Sequence, residues 1–294
     1  MWLMQEISAQ QHLLPVVVFA AMATIGMELR VSQLTKVIEA PRVPLLGTLI
    51  HTLTFPVIAL IVIVGAILLS ISLTEATVIG ILLIAACPSG GFSNVLTSIA
   101  RANLPLSVVL TGISTMIALL TVPLLLSGFG FFVESLKVSG SVPILDIVSS
   151  VAGLVFMPLV LGMMMAAKLK FLSTRLISIS QQVAQLMLYG VVVLLIVENW
   201  PVMKLGVSDA LPISLLLCML NIGLCLMLSR LARLTAADAV TVALEGSTRN
   251  LAVAFLVAAN SLERIDVALL PTVYFVSVLI ASILFAKSWR KLPL

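Results

Sequence analysis

Residues 76–100 read ATVIGILLIAACPSGGFSNVLTSIA. The run is mostly apolar and long enough to cross a membrane as a helix, which takes about 20 residues. Near its middle stand Pro88, Gly90 and Gly91, residue types that interrupt the hydrogen-bond ladder of a helix. Because the bilayer core holds no water, the backbone groups freed at such a break need protein, ions or a hydrated cavity. The segment therefore predicts a broken membrane helix with its polar residues gathered at the break.

The whole chain has the composition of a membrane protein. Of its 294 residues, 61% are hydrophobic and 10% are charged, and its mean hydropathy is +1.26. A soluble protein needs a more polar surface, and barrel strands alternate in polarity, which these continuous runs do not. We predict an all-α membrane protein with about nine transmembrane helices in a single domain, residues 1–294. The predicted spans are 13–29, 43–70, 76–100, 104–127, 143–167, 174–197, 209–229, 236–260 and 265–286.

A second polar break lies in the eighth predicted span, where residues 245–250 read EGSTRN. The two breaks fall one in each half of the chain, in spans of opposite orientation. Paired interruptions of this kind are typical of transporters with inverted repeats and a binding site at mid-membrane. The alternative is that each break is only a kink in its helix, but both breaks concentrate oxygen-bearing side chains. We predict a first repeat over about 13–127 and a second over about 143–286.

The basic residues predict how the chain sits in the membrane. Cytoplasmic loops are rich in Lys and Arg. With the N-terminus outside, the inner loops hold twelve of the sixteen basic residues and the outer loops hold three, while Arg249 lies inside a span. We therefore predict a multi-pass cell-membrane protein with a cytoplasmic C-terminus, and its net charge of +4 needs no nucleic-acid partner. The first inner loop, residues 30–42, predicts a short amphipathic helix, either a connector or a gate.

Ionisable residues inside a membrane span are costly and mark functional sites. We single out His51 in the second span and Glu245 and Arg249 in the eighth. Asp146 lies close enough to an interface to be hydrated.

Oxygen-bearing side chains near the two breaks are suited to sodium, a hard cation. Ser107 and Thr111, four residues apart, present both hydroxyls on one helix face, although such hydroxyls often bond their own backbone instead. The ligand candidates at the breaks themselves are Ser93, Asn94, Glu245, Ser247 and Thr248.

Three segments carry a family resemblance: Cys87–Asn94, Ser98–Ser107 running on to Thr115, and Glu245–Asn250. In addition, Gly26-Met27-Glu28-Leu29 matches a Gly-Met-x-Leu pattern, and Asn221 and Gly223 match an Asn-Gly pattern. With these motifs the chain resembles the bile acid:sodium symporter family, and in particular the bacterial-type sodium-dependent organic anion transporters. The resemblance covers nearly the whole chain.

The resemblance implies a core domain and a panel domain, with the two broken helices crossing in the core. Many members have ten helices in two inverted repeats of five, and this chain then corresponds to nine. The implied substrate is an organic anion that meets helix N-termini, where free N–H groups favour negative charge. Its implied contacts are Gly90, Gly91, Phe92 and Asn250. The implied first sodium site is Ser93, Asn94, Ser107, Thr111 and Glu245.

The second sodium site of the family does not carry over, because its two glutamine positions are His51 and Arg249 here. Arginine has donors and no acceptor, so it does not ligate a cation. Our hypothesis is that the Arg249 guanidinium replaces the second sodium and pairs with Glu245 at i, i+4 spacing. A buried carboxylate needs such a partner.

The sequence thus predicts a symporter that carries a small carboxylate with one co-transported sodium ion. A proton-coupled or uncoupled carrier that uses His51 is the alternative, and a channel is less favoured. An enzyme is not expected, since the chain has two histidines and neither an H-E-x-x-H nor a G-x-x-x-x-G-K-[ST] motif. The expected partners are the lipid bilayer and the anion, without nucleic acid, and the expected oligomeric state is a monomer.

Overall fold

The computed structural model of the protein describes residues 2–29, 40–135, 144–169, 174–198, 200–204, 206–262 and 264–290. Within these ranges the chain is all-α, as predicted. The helices of the first half are α1 Trp2–Glu28, α2 Arg42–Leu68, α3 Glu75–Ala86, α4 Phe92–Ala100 and α5 Leu104–Ser135. Those of the second half are α6 Ile144–Val151, α7 Met157–Lys168, α8 Thr174–Glu198, α9 Trp200–Met203, α10 Val207–Leu231, α11 Ala236–Ser247, α12 Leu251–Leu256 and α13 Leu269–Trp289.

Three short irregular helical segments complete this order. A π-helical turn, Ala152–Phe156, joins α6 to α7, and a second, Val257–Ser261, extends α12. A 3₁₀ turn, Ile265–Ala268, leads into α13. The predicted amphipathic segment over residues 30–42 falls mostly outside the described residues, and so does the side chain of Asp146.

Six stretches of the described residues are long and apolar enough to cross a membrane. They are Arg42–Leu68, Leu104–Leu126, Ile147–Lys168, Arg175–Leu194, Val207–Leu231 and Asp266–Trp289. On α2, apolar side chains four residues apart, such as Leu49 (55% exposed) and Leu53 (55% exposed), lie on the outer surface of the protein. An apolar outer stripe of this kind suits contact with lipid. The full count of nine spans and the inverted repeat stay predictions.

The two predicted breaks are present, and they lie against each other. Between α3 and α4 the chain leaves the helix at Cys87 and re-enters it at Phe92, and between α11 and α12 it does so from Thr248 to Asn250. The Gly90 amide donates to the Thr248 carbonyl at 2.8 Å, and the Asn250 amide donates to the Pro88 carbonyl at 2.9 Å. Each break therefore satisfies backbone groups that the other has freed, as an apolar environment requires.

A glycine is required where the two breaks touch. A Cβ atom on Gly90 would lie 3.0 Å from the Arg249 carbonyl oxygen, closer than side-chain carbons normally approach.

The helices that lead into the breaks are also alike. Both α3 and α11 have 12 residues, and each begins after a threonine whose hydroxyl accepts from the backbone three residues on, Thr74 in one case and Thr235 in the other.

The helices form two packed groups. In one, α1 packs on α7 and α8; in the other, α10 packs on α2, α11 and α13. In the first group, glycines let α1 and α7 approach very closely. A Cβ on Gly26 would lie 2.0 Å from the Leu159 carbonyl oxygen, and a Cβ on Gly162 would lie 2.0 Å from the Ala23 carbonyl oxygen. Small residues give membrane helices this close approach. The contacts bring the C-terminal end of α1 near the first break.

Candidate functional site

Glu245 is the centre of the polar cluster at the breaks. It lies in the last turn of α11 and is 0% exposed. Its carboxylate accepts hydrogen bonds from the hydroxyls of Ser89 and Ser107, and Thr111 Oγ1 lies 3.1 Å and 3.0 Å from its two oxygens. Within the described residues, both ion pairs belong to Arg264, so Glu245 has no cationic side chain in direct contact. A buried carboxylate that lacks a cationic partner favours the binding of a cation.

Ser93 and Asn94, in the first turn of α4, complete the cluster. Ser93 Oγ donates to the Gly90 carbonyl at 2.9 Å and lies 3.3 Å from Thr111 Oγ1. Asn94 Oδ1 lies 2.8 Å from Ser107 Oγ, whose single hydroxyl proton also faces the Glu245 carboxylate. The cluster therefore has more acceptor oxygens than hydrogen-bond donors. Oxygen atoms without a donor are suitable ligands for a hard cation. All five residues of the predicted first sodium site come together, and sodium binding there stays a prediction.

The hydroxyls of Ser247 and Thr248 do not join this cluster. Ser247 Oγ donates to the Leu244 carbonyl at 3.1 Å, and Thr248 Oγ1 donates to the same carbonyl at 2.7 Å. The sequence suggested both as sodium ligands, and that role stays a prediction. Hydroxyls near the end of a helix bond readily to the carbonyls of the preceding turn, and both side chains do so here.

Arg249 does not pair with Glu245, so the predicted i, i+4 ion pair is wrong. The two NH₂ groups of its guanidinium donate instead to backbone carbonyls, to that of Cys87 at 3.0 Å and to that of His51 at 2.9 Å. Its Cζ atom lies 4.7 Å from the centre of the Phe55 ring, a cation–π contact. The reason is local, because α11 ends at Ser247 and the i, i+4 relation holds only within a continuous helix.

His51, on α2, lies beside this arginine and is fully buried. Neither ring nitrogen has a hydrogen-bond partner among the described residues, and the same is true of the amide nitrogen of Asn221. The Arg249 contact is to the backbone carbonyl of His51 and does not involve the ring. Among the described residues, the imidazole therefore makes no hydrogen bond with the Glu245 cluster.

A small cavity of about 30 Å³ lies beside the two breaks. The four predicted substrate contacts, Gly90, Gly91, Phe92 and Asn250, all line it. Arg249 lines it as well, and its Nε is buried without a partner among the described residues. The other polar residues of the wall are Thr248 at the second break and Gln185 and Tyr189 on α8. Substrate binding in this cavity stays a prediction.

Sequence reasoning missed the polar residues of α1 and α8. Glu28 Oε2 accepts from the Asn94 side-chain amide at 3.4 Å and from Gln181 Nε2 at 3.0 Å. Glu28 stands at the end of a predicted span and looks like an ordinary interface residue. Gln181 and Gln185, four residues apart within a predicted span, are the signal that could have identified this polar helix face.

Comparisons with known proteins match the chain to a transporter family. Residues 15–205 match the family described as the sodium bile acid symporter family. Among curated proteins, the chain is similar to the uncharacterized sodium-dependent transporter YocS of Bacillus subtilis (strain 168), with 30% identity over 104 residues. The matched region covers 35% of this chain and 31% of that transporter, so the chain spans about a third of the length of the curated relative.

Proposed function

Because this chain belongs to the sodium bile acid symporter family, we propose that it is a secondary active transporter that moves a small organic anion together with one sodium ion. The family is one of membrane transporters and not of enzymes. Glu245 carries the proposal: it is a fully buried carboxylate surrounded by hydroxyl and amide oxygens, with no cationic side chain in contact among the described residues. Sodium at Ser93, Asn94, Ser107, Thr111 and Glu245 neutralises this charge.

Arg249 takes the place of a second sodium ion in this proposal. Its guanidinium donates to two backbone carbonyls, that of Cys87 at the first break and that of His51 within α2. Carbonyl oxygens freed at a helix break, as at Cys87, are groups that otherwise coordinate a cation. A second mobile cation beside this fixed charge is disfavoured by Coulomb repulsion, which is strong in a buried environment. The expected coupling is therefore one sodium ion per substrate.

The substrate in this proposal is a carboxylate that occupies the cavity at Gly90, Gly91, Phe92 and Asn250. The start of α4 directs the positive end of its helix dipole towards an anion there, and Arg249 adds a positive charge to the wall. The cavity is small, with a volume of about 30 Å³. Such a space favours a small carboxylate over a bulky steroid conjugate.

Uptake into proteoliposomes tests the proposal. A thermal-shift screen of small carboxylates, with and without sodium, first identifies a substrate. We expect its uptake to need an inward sodium gradient and to depend on sodium with a Hill coefficient near one. A Hill coefficient clearly above one contradicts the replacement by Arg249. Uptake that persists when potassium replaces sodium and follows a proton gradient favours the alternative in which His51 carries the coupled proton.

The orientation in this proposal is an external N-terminus and a cytoplasmic C-terminus, with the protein acting as a monomer. The excess of Lys and Arg in the predicted inner loops supports the orientation.

A further inference from the structure

Glu28 is a half-buried carboxylate that the proposed transport mechanism does not use. It occupies the x position of the Gly-Met-x-Leu segment, in the last turn of α1. Gly26, two residues earlier, packs directly against the α7 backbone, so the end of α1 is fixed in position. Half-buried, Glu28 extends from this helix towards α4 and α8 and hydrogen-bonds to one amide side chain on each.

The link to α4 reaches the proposed sodium ligands. Glu28 Oε2 accepts from Asn94 Nδ2 at 3.4 Å, and the other end of the same amide, Oδ1, lies 2.8 Å from Ser107 Oγ. Ser107 in turn hydrogen-bonds to Glu245. One amide therefore stands between two carboxylates, with its nitrogen towards Glu28 and its oxygen towards the Glu245 cluster.

The direction of this amide decides whether Asn94 helps to bind a cation. Its oxygen is a sodium ligand, whereas its NH₂ group is a donor that opposes one. Glu245 is an acceptor-only carboxylate and by itself attracts the NH₂ group, which would turn the amide the wrong way. Glu28 is also acceptor-only, and it competes for the same NH₂ group from the opposite side. Gln181, which donates to the same oxygen at 3.0 Å, holds Glu28 in place.

We infer that Glu28 is a positioning residue for sodium, which fixes the side-chain amide of Asn94 with its oxygen towards Glu245 and thereby raises sodium affinity. The inference rests on the proposed function and adds a residue on α1 to the sodium site on α4, α5 and α11. Groups that orient a metal ligand from outside the coordination shell typically change metal affinity by about 10- to 100-fold when removed.

Two substitutions separate this role from a structural one. Glu28→Leu removes the acceptor, and Glu28→Gln keeps the shape but offers both a donor and an acceptor, so it no longer selects one amide direction. Thr24→Val is the matched control, because Thr24 lies one turn earlier on α1 and its hydroxyl donates only within that helix, to the Ala21 carbonyl at 2.8 Å.

The measurement is the thermal stability of the full-length purified protein during a titration from choline chloride to sodium chloride at constant ionic strength. We expect the sodium concentration at half-maximal stabilisation to rise about tenfold in Glu28→Leu, to rise by less in Glu28→Gln, and to stay unchanged in Thr24→Val. If Glu28→Leu does not fold, the half-maximal sodium concentration of Glu28→Gln tests the inference.

Two other outcomes have separate meanings. A half-maximal concentration that stays at the wild-type value in the folded Glu28 variants overturns the inference alone. A wild-type protein that sodium does not stabilise overturns the proposed sodium site and this inference with it.

Discussion

Arg249 donates a hydrogen bond of 2.9 Å to the backbone carbonyl of His51. The arginine at the second break is thus held by backbone oxygens, together with the Phe55 ring, and among the described residues the nearby Glu245 carboxylate has no cationic side chain in contact. The guanidinium and the carboxylate lie in the same buried region but have different partners. This separation leaves Glu245 available for a mobile cation.

Replacing the arginine is expected to change the coupling ratio. Arg249→Gln removes the fixed charge and supplies an amide oxygen, so a second sodium ion gains a ligand and loses a repulsive neighbour. We expect the Hill coefficient for sodium in uptake to rise from near one towards two. Arg264→Gln, which changes an arginine in ion pairs with Glu75 and Asp266, is the control and should leave the coefficient near one. Active Arg249→Gln protein with a coefficient still near one would count against the replacement of an ion by this arginine.

Removing the central carboxylate is expected to abolish sodium coupling. Glu245→Gln keeps the shape of the side chain but removes the charge that a cation neutralises. We expect sodium affinity to fall about 100-fold or more, since loss of one partner of a buried charge pair costs about 3–5 kcal/mol. The readout is the sodium dependence of uptake and of thermal stability. Asp238→Asn, on the same helix and bonded to Asn103 at 2.7 Å, should keep normal sodium dependence.

The buried imidazole of His51 is expected to be dispensable for sodium coupling. Both ring nitrogens lack partners among the described residues, and a buried polar group in this state costs about 1–3 kcal/mol. We expect His51→Leu to keep sodium-dependent uptake and to raise the melting temperature. His51→Gln retains a polar group and should give a smaller rise. Loss of uptake in correctly folded His51→Leu protein would support the proton-coupled alternative.

Close packing behind the second break is expected to make Gly246 intolerant of a side chain. A Cβ there would lie 2.6 Å from Cys225 Sγ and 3.1 Å from Asn221 Nδ2. Overpacking of this kind costs about 1–3 kcal/mol, so Gly246→Ala should lower the melting temperature. Gly223→Ala is the matched control, because a Cβ at that position meets nothing within 4 Å. Equal stability of the two variants would contradict the packing described for α10 and α11.

The predicted orientation is testable at the two ends of α10. Lys204 and Arg230 are both exposed, and the three cysteines of the chain, Cys87, Cys218 and Cys225, are buried. In intact cells we expect a membrane-impermeant maleimide to label Lys204→Cys. Arg230→Cys should be labelled only after the membrane is opened. The reverse pattern would invert the topology.

Much of the site was predictable from sequence because its signals are local. Pro88, Gly90 and Gly91 break a helix wherever it packs, so the first interruption and the polar residues around it were identified correctly. Glu245 stood out because a carboxylate within an apolar run is costly. The close approach of Ser93 and Asn94 to Ser107, Thr111 and Glu245 also agrees with the family resemblance.

Partners of individual side chains were not predictable in the same way. The expected Arg249–Glu245 pair assumed a helix that in fact ends at Ser247. Glu28 reaches Asn94 across 66 positions of sequence, a contact that depends on how tightly Gly26 and Gly162 let α1 and α7 approach.

By itself, then, the sequence determined the helical membrane architecture, the two breaks and the buried carboxylate. Each follows from backbone chemistry and from the cost of polar groups in an apolar run. Only the tertiary structure decided that Arg249 binds carbonyl groups and that Glu28 faces Asn94. A buried donor or acceptor takes whichever partner the packed helices bring within about 3 Å, and that choice is made by the packing between distant segments.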